Sequence, residues 1–275
     1  MGTTGIVEPS IGAYLAYLAG FALRYFAIAG GLYALFHVVF KARWIGSRVQ
    51  AAPPPAGDVR HDIRWSLLSA ATTGLSTLFI YQLVRTGHSS VYLQVGEHGW
   101  AYLLISAALC VVGYDTWMYW QHRSLHTRWL FSRVHACHHD VTNPTPFSSF
   151  AQHPIETLMG NTYFILFMVL VPVHPLAIVA AGGYMYFVAF VGHLGFELYP
   201  RGFTTHRLLG WINTSTHHNM HHSEVGCNYS VCFNLWDWLM GTNHARYHDT
   251  FDAIAARRQP VPAPELGAEP ARRAA

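Results

Sequence analysis

Five long apolar runs organise this chain, at about Ile11–Phe40, Leu67–Val84, Trp100–Trp120, Leu158–Val171 and Leu176–Leu194. A spanning helix needs roughly 17–25 predominantly apolar residues. The third and fifth runs reach that length, the second is adequate and the fourth is short. Between the last two, Pro172-Val173-His174-Pro175 predicts a tight turn. The fourth and fifth runs therefore read as a helical hairpin that dips into the membrane and returns. Arg24 interrupts the first run. A charge at mid-membrane depth is costly and usually functional or buried in a bundle. The alternative is a broken or tilted helix that leaves Arg24 near an interface. Both readings stand at this stage.

Lys and Arg placement predicts the orientation. Lys41, Arg43, Arg48, Arg60 and Arg64 follow the first run, Arg123, Arg128 and Arg133 the third, and Arg201, Arg207 and Arg246 the fifth. Only Arg85 follows the second run, and the 172–175 turn has no basic residue. With the N-terminus outside, all the basic loops fall on the cytoplasmic face. Ala51-Ala52-Pro53-Pro54-Pro55-Ala56-Gly57 reads as a connector. The chain from about Gln259 is rich in Pro, Ala, Glu and Arg without periodicity, as in disordered segments. The N-terminus has no basic stretch ahead of its first apolar run and does not read as a signal peptide. The expected division is residues 1–98 for N-terminal membrane segments and a basic, proline-containing loop, 99–250 for a catalytic domain including the hairpin, and 251–275 for a disordered tail.

Composition agrees with a membrane setting. Only 11% of the 275 residues are charged, against about 25% in an ordinary soluble domain. The net charge of +3 is small, and no basic run interleaved with aromatics suggests a nucleic-acid groove. Cys110, Cys137, Cys227 and Cys232 form no CxxC pair, so a disulfide framework is not expected and a reducing compartment is natural. Cys137 sits within a histidine cluster, where packing is the simpler role.

Histidine carries the chemistry. Three clusters read His122-x-x-x-His126, His135-x-x-His138-His139 and His218-x-x-His221-His222, and the last two are the only internal repetition. On a helix, positions three and four apart share a face, so each cluster can aim two or three imidazoles at one region. Eight such ligands exceed the roughly four of a tetrahedral ion and suit two ions held close together. All three clusters fall on the predicted cytoplasmic face. His193, at the cytoplasmic end of the fifth run, is a ninth candidate, and Glu197 is either a tenth ligand or a hydrogen-bond partner of one. His217 lies roughly 100° around a helix from His218 and suits an outer position. His153, before Pro154, is either a further candidate or a helix cap. Asp115 is either an acceptor that orients a ligand or a buried partner of an Arg. The other eight histidines, such as His37, His61 and His88, are isolated and suit surface or packing roles.

Imidazole sets of this size suit zinc, copper, iron or nickel. A hydrolytic zinc site with an HExxH base is disfavoured because no such motif is present. Two redox ions beside an apolar channel suit activation of O2 against an unactivated C–H bond. The three boxes on four to five membrane segments resemble the fatty acid hydroxylase/sterol desaturase superfamily. So does the closing stretch Asn213-Thr214-Ser215-Thr216-His217-His218-Asn219-Met220-His221-His222, followed by Asn228-Tyr229 and Leu235-Trp236-Asp237-Trp238-Leu239-Met240-Gly241-Thr242. The likeness runs from about residue 100 to 250. It implies an integral-membrane, multi-pass, non-haem di-iron oxygenase of the bacterial inner membrane or endoplasmic reticulum. Its two Fe ions, replaceable by zinc in a recombinant sample, would be held by the eight box histidines with His193 at an additional position. O2 would be the co-substrate, and a b-type cytochrome or a ferredoxin with its reductase the electron donor.

The expected fold is thus all-α, an integral-membrane helical bundle with a cytoplasmic helical cap carrying the dimetal site. The expected activity is hydroxylation of a fatty-acyl or sterol-like lipid. The alternatives are a desaturase or sterol methyl oxidase of the same superfamily, or a metal-binding or metal-transporting membrane protein.

Overall fold

A computed structural model describes residues 10–257. It is nearly all helical, and β structure among the described residues is confined to isolated bridges such as Arg48–Phe196. Four helices are long and apolar enough to cross a membrane: α1 (Ile11–Val39), α2 (Ala56–Arg85), α3 (Gly99–Leu125) and, after a shorter partner, Pro175–Gly192. A cap region, α4 (128–139), follows α3 and runs through a π-helical turn. The hairpin is α5 (Pro154–Leu170) and α6 (Pro175–Gly192). Three helices then complete the cap: α7 (Ser215–Ser223), α8 (Leu235–Leu239) and α9 (Tyr247–Arg257).

Local chemistry sets these boundaries. The Ser10 hydroxyl accepts from the Ala13 N–H at the start of α1, an ordinary side-chain cap. His153 and His174 cap α5 and α6 in the same way, each followed by Pro at the first helical position. The turn between α5 and α6 is pinned by Tyr102, whose hydroxyl donates to Pro172 O at 3.0 Å. α2 starts right after the proline run, eleven residues ahead of the apolar stretch seen in sequence. Its early turns are polar and carry Arg60 and Arg64, so these basic residues lie on a helix that outruns its apolar part. Buried Asp62, one of these polar positions, accepts from Ser148 Oγ at 2.6 Å.

The bundle closes around α3, α5 and α6, where Leu103, Cys110, Tyr163, Phe167, Ala181 and Met185 are buried together. Gly113 permits the tightest approach. A Cβ there would lie 2.5 Å from the Tyr163 hydroxyl, which donates to Cys110 O at 2.8 Å. Small residues serve this purpose between membrane helices, where backbones approach closely. Outward positions such as Leu104, Ile105 and Leu109 on α3 are exposed and apolar, as lipid contact requires.

Two expectations change. Arg24 is exposed, and its guanidinium reaches the Tyr186 hydroxyl rather than sitting buried in the bundle. α1 stays helical throughout, changing register in π-helical turns at Phe26–Gly30 and Ala34–Val39. The expected tail is helical through Arg257, because Tyr247, Phe251 and Ala255 recur every four residues and bury one stripe against Phe203 and Met220. The remainder of that tail lies outside the described residues.

Candidate metal centre

Nine imidazoles converge at the junction of bundle and cap. His122 is in the last turn of α3 and His126 is its C-cap residue. His135, His138 and His139 come from α4, and His218, His221 and His222 from α7. His193 caps the C-terminus of α6. They divide into two groups. His122, His126, His135, His139 and His221 form one, and His138, His193, His218 and His222 the other. Within each group, one ring nitrogen per residue lies within 4.8 Å of all the others.

The division explains the HxxHH pattern. Neighbouring residues on a helix point about 100° apart. In α4, His135 and His139 face the first group while His138 faces the second; in α7, His218 and His222 face the second while His221 faces the first. Each box therefore serves both groups, in reciprocal fashion. The His138–His222 and His139–His221 ring centroids are 4.5 Å and 4.7 Å apart across the two boxes.

Backbone carbonyls fix most of the rings. Nδ1–H donates to Tyr229 O from His122 (2.7 Å), to Ala151 O from His138 (3.0 Å) and to Ala189 O from His193 (2.8 Å). It donates to Cys227 O from His221 (2.6 Å) and to Val141 O from His222 (2.9 Å). A carbonyl only accepts, so these partners place the proton on Nδ1 and leave the Nε2 lone pair facing inward. His135 is held by a side chain instead, Nδ1 to Glu156 Oε2 at 2.9 Å.

The inward nitrogens face one another. His122 Nε2 is 3.0 Å from His135 Nε2, and His218 Nε2 is 2.9 Å from His193 Nε2. Both ring nitrogens of His126 and His139, and Nε2 of His221, are buried with no hydrogen-bond partner among the described residues. Buried, unsatisfied polar atoms are rare and costly, about 1–3 kcal/mol each, and a cation at the first group would take one nitrogen from each of these three rings. Burial holds His135 and His193 down to about 3 and His138 to about 4. It pushes His139, His221 and His222 well below the usual range too. The rings are therefore neutral, the form that binds metal. The residues present fit two metal ions.

The other sequence candidates lie outside both groups. Glu197 is fully buried but accepts from the Thr216 N–H (3.0 Å) and hydroxyl (2.7 Å) and from the Tyr199 N–H (3.1 Å), anchoring the first turn of α7. His217 faces away from the groups, toward Asp237 (3.4 Å) and Asn243 (3.3 Å). His153 is the α5 cap, accepting from the Ile155 N–H at 3.2 Å. Among the described residues Asp115 pairs with neither a histidine nor an Arg; it accepts from the N–H groups of Cys232 (2.7 Å) and Phe233 (3.2 Å). Asp237 does similar work on the Tyr229 and Ser230 N–H groups. Burial alone would raise Asp237, but His217, Thr242 and these donors hold it below the usual carboxylate range. Together the two aspartates brace the loop whose Tyr229 carbonyl orients His122. The isolated histidines also stay outside; His174, for example, caps α6.

Sequence reasoning missed Glu156. Its signal was an acid opening an otherwise apolar helix, three residues after His153. The orienting carbonyls have no sequence signal, because every residue carries one.

Beside the histidines lies a cavity of about 220 Å³. Its wall includes His122 and His135 of the first group and His138, His193 and His218 of the second, with Met118, Phe164 and Met185 among its apolar residues.

A bundle with membrane-length helices and a two-group imidazole centre at one end defines a class, the membrane-type histidine-box proteins. The sequence profile described as Fatty acid hydroxylase matches residues 107–242. Lathosterol oxidase of Mus musculus is 28% identical over 187 residues, 67% of this chain and 60% of that protein. Delta(7)-sterol 5(6)-desaturase ERG3B of Gibberella zeae is 30% identical over 190 residues, covering 68% of this chain and 56% of that protein. Methylsterol monooxygenase 1 of Danio rerio is 31% identical over 157 residues, 55% of this chain and 53% of that protein. The matched part of the chain thus spans about 60% or less of these three relatives. No solved structure matches the chain. The chain belongs to the fatty acid hydroxylase/sterol desaturase superfamily.

Proposed function

We propose that this chain is an O2-dependent, non-haem di-iron oxidoreductase that acts on an unactivated C–H bond of a sterol-like lipid. Its relatives carry the names of sterol oxidases, desaturases and monooxygenases. They favour desaturation or methyl oxidation of a sterol over the lipid hydroxylation put first from sequence. The observation that carries the reading is a largely apolar cavity whose wall includes members of both histidine groups.

Nine histidines would hold the metal: His122, His126, His135, His139 and His221 one ion, and His138, His193, His218 and His222 the other. Two irons bound there supply the oxidising power for C–H cleavage with O2. The chain's own part is positional. Backbone carbonyls and Glu156 keep Nε2 of six of the nine rings aimed inward, which lowers the cost of assembling the centre. Met118, Phe164 and Met185 give the substrate an apolar bed and limit water beside the reacting carbon. The Lys and Arg bias supports a cytoplasmic position for this end of the bundle, where a b-type cytochrome or a ferredoxin could deliver electrons.

The test is turnover. Membranes carrying the iron-loaded protein, with a reductase system and O2, should convert a Δ7-sterol. The product should have lost two hydrogens or gained one oxygen, as read by mass spectrometry. Absence of both products from protein shown to hold two irons would overturn the reading.

A further inference from the structure

Part of the cavity wall is a polar cluster where α2 meets α5. Ser69 Oγ and Thr157 Oγ1 pair there at 2.9 Å. Next to them, Asn161 Nδ2 donates to Thr73 Oγ1 at 3.3 Å and to Ser76 Oγ at 3.2 Å. Ser76 gives its own hydroxyl proton to Thr72 O at 3.2 Å. Toward Asn161, Ser76 can therefore only accept, which fixes the amide with nitrogen against α2. Both amide hydrogens are then used, and the amide oxygen is the free end. Asn161 lines the cavity, and its Oδ1 takes no hydrogen bond from the described residues. Asn213, also in the wall, leaves its Oδ1 unpartnered as well, but that oxygen is sealed from access.

An unpaired acceptor between membrane helices is costly, because hydrocarbon offers it no donor. We propose that Asn161 is a specificity-determining residue whose amide oxygen accepts a hydrogen bond from a hydroxyl group on the lipid substrate. Ser76 and Thr73 are positioning residues that hold the amide in that orientation. The spacing suits such a substrate. Asn161 lies five residues beyond Glu156 on α5, about 7.5 Å along the helix axis, and Glu156 holds His135. A rigid ring lipid with its hydroxyl a few carbons from the reacting position spans such a gap. This inference rests on the reading of the site as a lipid oxidoreductase and adds to it the group that is recognised.

The test is equilibrium binding without turnover, using the full-length protein in nanodiscs. The probes are a 3-hydroxy Δ7-sterol and its 3-deoxy analogue, with a long-chain primary alcohol and the matching alkane as a second pair. Wild type should prefer each hydroxylated probe by about tenfold, the usual worth of one buried hydrogen bond to a ligand. Asn161→Leu should lose that preference, with binding of the deoxy sterol and alkane unchanged. Asn161→Asp keeps an acceptor and should retain most of it, and Ser76→Ala, which unlocks the amide, should retain part. Retained preference in Asn161→Leu, or none in wild type, would overturn the proposal. If only the alcohol pair shows an Asn161-dependent preference, the hydroxyl site stands and the sterol reading falls. Iron content and thermal midpoint show which variants are folded.

Discussion

Removing the Glu156 carboxylate should loosen the metal centre without unfolding the protein. Glu156 is buried, and among the described residues its carboxylate is held by His135 Nδ1, at 2.9 Å. Glu156→Leu leaves that N–H with no acceptor and frees the ring to rotate away from the first group. A hydrogen bond to a charged acceptor is worth about 1.5–3 kcal/mol, and outer partners of metal ligands typically contribute 10–100-fold in affinity. These scales agree, since tenfold is about 1.4 kcal/mol. Glu156→Gln keeps an acceptor but loses the charge, so it should weaken iron binding by about tenfold. Glu156→Leu should approach a hundredfold. The assay is competition against a graded iron chelator, with bound iron counted by elemental mass spectrometry. A Glu156→Leu protein that folds and holds two irons at wild-type affinity would refute the argument, because it would show that His135 needs no fixed orientation.

His138→Ala should release iron and abolish turnover, and His221→Ala should do the same from the other group, whereas His88→Ala should leave iron content unchanged by elemental analysis. Acid should destabilise the metal-free fold. His135, His138 and His193 have folded values of about 3 to 4 against about 6.5 when unfolded, so the unfolded chain takes up protons that the folded one refuses. Stability should therefore fall as pH drops through about 6.5 and continue falling toward about 3; a thermal midpoint flat across that window would contradict it. Gly113→Ala should cost about 1–3 kcal/mol by overpacking against Tyr163, measured as a lowered unfolding midpoint, and Gly113→Ala with Tyr163→Phe should recover part of the loss.

Much of the molecule was legible in one dimension. Apolar runs of membrane length predicted the helical bundle, because hydrocarbon forces each spanning segment to satisfy its own backbone. The two prolines around His174 predicted the hairpin turn. The nine converging histidines were legible too, since imidazoles three and four apart share a helix face. The sequence could not show which histidines belong together. His138 and His139 are adjacent yet serve different groups, and His139 joins His126 and His221 from other helices, because packing and a π-helical turn set the rotation of each face. Glu197 and Asp115 looked like ligand-shell acids. In the structure they brace backbone N–H groups instead, since a buried carboxylate takes whatever donors the fold brings to it. Glu156, the Nδ1 carbonyls and the free amide oxygen of Asn161 emerged only with the tertiary structure. Their roles depend on a partner distant in the chain, and spacing along a sequence carries no record of which groups meet in space.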